Sequence, residues 1–315
     1  MSTPLVILCP GQGAQAVAMG KAYFEKSSDA RSVFEKAEQI LAGDVSWTGS
    51  PLTTLCFEGP ADRLNQTDAS QPAIFVTSMA CYATLKAQWS YGNGEAPIFA
   101  AAGLSLGEYT ALAIAGAMTF EDALRLVVLR GRAMQDAAKA SQGGMVALIG
   151  AEEGQASQIC DKARGSDVLV CANFNAPGQI VLSGSKAACD RVAPIASEMG
   201  LRATPLVVAG AFHSPLMQPA ADRLADALQK TPIKVPRCPV YANVTAAPHE
   251  NEPATIRNLL VQQLTSPVRW SQSCAAIGSA LAGKAEFHEL APGRTLSGLY
   301  RRINKEIKVT AHDEP

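Results

Sequence analysis

The chain has 315 residues, 48% of them hydrophobic and 17% charged, with a formal net charge of -1. That length predicts one large domain with an insertion, or two domains, and the near-neutral charge excludes a dedicated nucleic-acid or membrane-surface binder, which would carry a strong basic excess. Eight cysteines fall mostly in apolar segments without a C-x-x-C pair, which predicts reduced core thiols, no metal site and a cytoplasmic protein; the first residues lack a basic leader, and no apolar run reaches the roughly 18 residues of a membrane span.

Leu5 to Cys9 reads as a short apolar strand that ends in the glycine turn Gly11-Gln12-Gly13, with a helix expected from about Ala16. Ala30 to Leu41 has helical periodicity, Ser50 to Asp68 reads as turn-rich, and Gln71 to Trp89 reads as a long helix buried on most sides. An Asn93-Gly94 turn leads to an apolar strand, Ile98 to Ala102, which runs into a helix-forming stretch from Glu108 to Ala117. Thr119 with Asp122 three residues on marks the start of a further helix, to about Ala138, that carries Arg125, Arg130 and Arg132.

From Ser141 to Leu206 the segments alternate strand, helix, strand, strand, helix, strand, with strands near 145–149, 168–173, 180–183 and 202–207. That βαββαβ order is the ferredoxin-like signature. It interrupts a larger α/β unit, so 139–207 is expected to be an inserted small domain, with 1–138 and 208–315 forming the core. Beyond it come a helix Leu216 to Gln229, a strand Val240 to Val244, helices Ala254 to Leu264 and Ser271 to Leu281, a strand Glu286 to Leu290 and a last helical stretch, Thr295 to Ile303.

Gly103-Leu104-Ser105-Leu106-Gly107 sits where the apolar strand turns into its helix. A Gly-x-Ser-x-Gly turn in that place is a nucleophile elbow: the tight bend exposes the serine hydroxyl, and the helix aims backbone N–H groups at developing negative charge. A serine needs a base, and four histidines are available. His249 lies in a polar loop, His288 between acids and His312 in the tail. His213, in Gly210-Ala211-Phe212-His213-Ser214-Pro215, lies on a strand-to-helix loop where α/β enzymes carry catalytic groups. No aspartate is well placed as third member, which leaves a backbone or side-chain carbonyl to hold the imidazole. The turn at Gly11 matches a dinucleotide-binding G-x-G-x-x-A but lacks the acid that should close a second strand; the alternative is an oxyanion-hole donor beside Leu106. Arg130, among apolar neighbours, reads on its own residues as a snorkelling or salt-bridged surface arginine, with a carboxylate-binding fork as the alternative.

Taken together, Gly11-Gln12-Gly13-Ala14-Gln15, Gly103-Leu104-Ser105-Leu106-Gly107-Glu108-Tyr109, Leu129-Arg130-Gly131-Arg132, Ala211-Phe212-His213-Ser214-Pro215 and Ser266-Pro267-Val268-Arg269-Trp270 resemble the malonyl-CoA:acyl-carrier-protein transacylases over nearly the whole chain. The resemblance implies an α/β-hydrolase-like core with a parallel sheet and a ferredoxin-like insertion. It implies a ping-pong transfer in which Ser105 takes malonyl from coenzyme A as an ester and the phosphopantetheine thiol of holo acyl carrier protein removes it, for fatty-acid or polyketide synthesis. His213 would be base and then acid, Gln12 and Leu106 the oxyanion hole, Arg130 the malonate-binding group and Gln263 the residue whose main-chain carbonyl orients the histidine. Phe212 resembles malonyl-selective members, where bulk crowds an α-methyl branch. No bound cofactor is implied, coenzyme A being carried by the substrate, and the protein is expected to act as a monomer without nucleic-acid or membrane partners. Leu104 departs from the pattern, since the family often has a histidine there. The rival readings are a serine esterase or thioesterase with the same Ser-His pair, a nicotinamide oxidoreductase built on the Gly11 turn, and a non-catalytic carrier-docking module.

Overall fold

A computed structural model of the chain describes residues 3–45, 47, 50–89, 97–281 and 283–315. The expected Asn93-Gly94 turn lies outside these residues. Among them the strands run β1 (Leu5–Cys9), β2 (Ile98–Gly103), β3 (Gly143–Ile149), β4 (Leu169–Ala176), β5 (Gln179–Ser185), β6 (Arg202–Pro205), β7 (Val240–Tyr241), β8 (Glu286–Leu290) and β9 (Val309–His312). They form two sheets within an α/β fold.

The first sheet, ordered β7-β2-β1-β8-β9, pairs every neighbour in parallel. Helices cover both of its faces, so its central strands are apolar at successive positions instead of alternating with polar ones. Leu5, Ile7, Cys9 and Ala101 join the larger core, whereas Val6, Leu8, Ala100 and Ala102 face a second cluster under Trp270 and Tyr300. The larger core is filled by the helix Thr67–Trp89, whose residues 69 to 78 are all buried.

The second sheet has the antiparallel order β4-β5-β3-β6 and the element order βαββαβ. Its two faces go different ways because strand side chains alternate. Met145, Ala172 and Val181 pack into the larger core, while Val146, Leu148 and Leu182 pack with Ile159 and Val192 from the unit's own helices. The backbone also bridges this sheet to the segment before the helix Trp270–Leu281: Val268 N–H donates to the Ala172 carbonyl and Phe174 N–H to that of Val268, at 2.8 and 2.9 Å.

Several expectations need correction. No helix starts at Ala16; the chain turns through Ala18 and Gly20, both at positive φ, and the first helix is Lys21–Lys26. Ala18 N–H bonds the Cys56 carbonyl, a tertiary contact that holds those turns. The stretch Ser50 to Asp68 contains the short helices Leu52–Glu58 and Ala61–Leu64, and the strand expected through Val244 ends at Tyr241. Ser185 to Met199 splits into Lys186–Asp190 and Val192–Glu198. The tail contributes β9, an edge strand beside β8. All cysteines except Cys171 are buried, and no described helix is long and apolar enough to cross a membrane.

Candidate active site

The elbow forms because β2 and the helix Leu106–Ile114 meet at a single residue. Ser105 sits there with φ 55° and ψ -101°, a backbone state that side-chain-bearing residues adopt at a cost of about 1–3 kcal/mol and keep only when neighbours hold it. Two contacts explain the flanking glycines. A Cβ on Gly103 would overlap the backbone of Gly107, and one on Gly107 would overlap the carbonyl of Cys9 at the end of β1. The Ser105 N–H donates to Asn243 Oδ1 at 2.7 Å, and Asn243 Nδ2 donates to the Gly103 carbonyl at 2.7 Å, so one amide braces both sides of the bend.

His213 also lies at positive φ, 56°, and is buried on the loop before the 3-10 turn Pro215–Met217, where Ser214 Oγ donates back to the Ala211 carbonyl. Its Nε2 is 2.8 Å from Ser105 Oγ and its Nδ1 is 2.7 Å from the main-chain carbonyl of Gln263. A carbonyl can only accept, so Nδ1 carries the proton and Nε2 is free to accept the serine proton. Burial, together with the positive charge of Arg130, pulls the His213 pKa down to about 4, against the opposing pull of the Gln263 carbonyl. The imidazole is therefore neutral at pH 7.

Arg130 is not a surface residue. It is fully buried on the helix Phe120–Ser141. Nη1 donates to Gln71 Oε1 at 2.7 Å, and Nη2 donates to Ser105 Oγ at 3.0 Å and Gln263 Oε1 at 2.9 Å. The guanidinium lies 5.2 Å from the Tyr109 ring centroid, and its Nε has no hydrogen-bond partner among the described residues. All three acceptors are neutral oxygens.

The strand pairing of β1 with β2 brings the first glycine turn against the elbow: Leu104 N–H donates to the Cys9 carbonyl at 3.1 Å, and a Cβ on Gly11 would fall on the Leu104 carbonyl. Gln12 follows in that turn, half-buried, its side chain 3.3 Å from Thr67 Oγ1. Since Lys21 is the first helical residue beyond it, the turn lacks the helix N-terminus that a dinucleotide site requires. Leu106 opens the elbow helix, and the N–H groups of Gly107 and Glu108 already serve the carbonyls of Leu104 and Ser105. Phe212 is buried in the larger core beside His213.

Four residues of this neighbourhood escaped the sequence reading. Asn243 falls in a stretch that reads in sequence as strand, whereas its place just after β7, at the carboxyl end of a parallel sheet, is a usable signal. Gln71 is a buried amide on the helix Thr67–Trp89, among several small hydroxyl side chains that give it no distinguishing pattern. Glu108 and His249, both buried, form a contact of 2.8 Å between Oε1 and Nε2; the residues around His249 read in sequence only as a polar loop.

A hydroxyl in contact with a neutral imidazole, at an elbow whose helix opens toward it, is chemistry for attacking an acyl carbon. Fold and site together thus point to the acyltransferase class. An acyl transferase domain family matches residues 6–309. The malonyl CoA-acyl carrier protein transacylase of Bacillus subtilis (strain 168) is 40% identical, covering 99% of this chain and 94% of the relative, and that of Escherichia coli (strain K12) is 38% identical, covering 99% and 97%. A crystal structure of the malonyl-CoA:acyl carrier protein transacylase from Xanthomonas oryzae superposes with a TM-score of 0.91 at 37% identity, covering 100% of this chain and 96% of that one. A malonyl-transacylase solved in complex with a type II PKS acyl-carrier protein matches with a TM-score of 0.91 at 33% identity, covering 99% and 97%. The chain belongs to the malonyl-CoA:acyl-carrier-protein transacylase family.

Proposed function

We propose that this enzyme moves a malonyl group from coenzyme A to the phosphopantetheine thiol of an acyl carrier protein through an ester on Ser105. The observation that carries the reading is Arg130, a buried cation whose hydrogen bonds all go to neutral oxygens, one of them the Ser105 hydroxyl. The buried Glu108 carboxylate acts on this cation only through space, across the Gln263 amide and without a hydrogen bond to it, so the planar fork beside the nucleophile is left to pair with the free carboxylate of a malonyl thioester.

In the first half-reaction His213 Nε2 takes the Ser105 proton as Oγ attacks the thioester carbonyl, and the imidazolium returns that proton to the departing coenzyme A thiolate. In the second half, His213 takes the proton of the carrier thiol, whose sulfur attacks the ester, and gives it to Ser105 Oγ. The backbone N–H groups of Gln12 and Leu106 face the oxyanion in both steps. Gln263 orients the histidine through its main-chain carbonyl, and Phe212 supplies bulk beside it. The parallel sheet with its elbow supports an α/β-hydrolase-like core of 1–138 and 208–315, and the antiparallel sheet order supports a ferredoxin-like insertion over 139–207.

Intact-protein mass measurement after brief exposure to malonyl-CoA tests the proposal. The expected result is a gain of one malonyl group on Ser105, removed by holo but not by apo carrier protein. Unchanged mass would overturn it, and rapid release of free malonate without carrier protein would make the enzyme a thioesterase.

A further inference from the structure

Glu108 lies on the first turn of the elbow helix and is 1% exposed. Three donors converge on its carboxylate: His249 Nε2 on Oε1 at 2.8 Å, and the Asn243 N–H and Gln263 Nε2 on Oε2 at 3.0 and 2.7 Å. These partners come from separate loops. Asn243 braces Ser105, whereas Gln263 reaches His213 with its main-chain carbonyl and Arg130 with its side-chain oxygen. The Gln263 amide has only one favourable orientation here. Flipped, it would set an NH2 against the guanidinium and an oxygen against the carboxylate.

We propose that Glu108 is the positioning residue of the site, one carboxylate that registers the Asn243 and Gln263 loops and thereby the hydroxyl, the imidazole and the guanidinium. This rests on the Ser105 acyl-enzyme reading above. His249 holds the carboxylate from the far side: its backbone N–H donates to the Val240 carbonyl at 2.8 Å, and its ring Nε2, facing a carboxylate, carries the proton. Glu108 touches neither the reacting serine hydroxyl nor the base, so its effect passes through Gln263 and Asn243.

The test uses single-turnover loading of the full chain by malonyl-CoA and by acetyl-CoA, with Tm alongside. Glu108→Gln keeps the shape but replaces one acceptor by a donor that faces another donor. It is expected to slow malonyl loading by about 100-fold, since a misplacement on the order of 1 Å has that effect on an aligned reaction. The malonyl-over-acetyl ratio should also fall by about 10-fold, because Arg130 loses its aligned Gln263 partner. His249→Leu should show a smaller loss of the same pattern, and His249→Gln, which retains a donor, should recover most of it.

Wild-type loading rates in Glu108→Gln would overturn the proposal, as would a loss equal for both acyl groups that follows the unfolded fraction. If Glu108→Gln does not fold, the His249 pair decides: equal loading by His249→Leu and wild type overturns the proposal, and a loss in Leu recovered in Gln supports it. Failure of the wild-type protein to load malonyl would sink the Ser105 reading instead.

Discussion

His213 Nδ1–H donates a hydrogen bond to a main-chain carbonyl, that of Gln263, at 2.7 Å, where a carboxylate stands in the usual serine triad. A neutral partner orients the ring without stabilising its protonated form as strongly as an anion would. Burial and Arg130 then dominate and hold the pKa at about 4.

In the proposed mechanism the neutral imidazole is the base, so the second-order rate of Ser105 acylation, which reports the free enzyme, should stay level as pH falls below the ordinary histidine value and should drop only near pH 4. Arg130→Met removes the positive charge that opposes protonation, and the acid limb should therefore move to higher pH. Single-turnover loading with acetyl-CoA, which does not need Arg130 for a carboxylate, checks both profiles.

The same shift makes stability depend on pH. With the folded pKa below the unfolded value of 6.5, the unfolded chain binds the proton first, so stability is fully present above pH 6.5 and is lost as pH falls through about 4. The gap is worth roughly 3 kcal/mol. Urea midpoints at neutral and acid pH should show this loss in the wild type and a smaller one in His213→Gln.

Arg130→Ala should lower malonyl loading by about 100-fold or more while changing acetyl loading by less than about 10-fold, because only the malonyl group brings a carboxylate to the vacated fork. Arg130→Lys should rescue little, since an ammonium cannot reach Gln71, Gln263 and the substrate together in a planar fork. Initial-rate comparison of the two thioesters decides it.

Asn243→Ala strips the acceptor from the Ser105 N–H and the donor from the Gly103 carbonyl. Leaving such groups buried and unpaired should cost about 1–3 kcal/mol. Because one of those bonds holds Ser105 at φ 55°, loading should also slow, by about 10-fold. Thermal melts and loading rates measured on one preparation separate the two effects.

Phe212 carries a selectivity prediction. Malonyl-CoA should be preferred over methylmalonyl-CoA, and Phe212→Ala should narrow the gap by about 10-fold or more, the scale of discrimination that shape alone provides for one methyl group. Competition between the two thioesters, read as the mass of the acyl-enzyme, gives the ratio directly.

Much of this architecture is legible in local pattern. Apolar runs of strand length, helical periodicity and the βαββαβ alternation mark the two sheets, because burial of one face or both imposes those periods on any chain that forms them. The elbow is local as well: Gly103, Ser105 and Gly107 are a backbone requirement written within five residues. What local pattern cannot carry is convergence. Asn243 reaches Ser105 across 138 positions and His249 reaches Glu108 across 141, so nothing near either residue announces its partner. Arg130 read as a surface arginine for the same reason, since its burial depends on Gln71, Tyr109 and Gln263 arriving from three other segments. The turns before Lys21 were missed because a tertiary bond to Cys56 overrides the helical preference of that stretch. β9 was missed because four mixed residues at a sheet edge have too little pattern to declare a strand. The amino-acid order by itself determined which chemistry the chain could hold; only the packed loops decided which neutral and charged groups would stand beside the serine, because those contacts exist only after distant segments share one core.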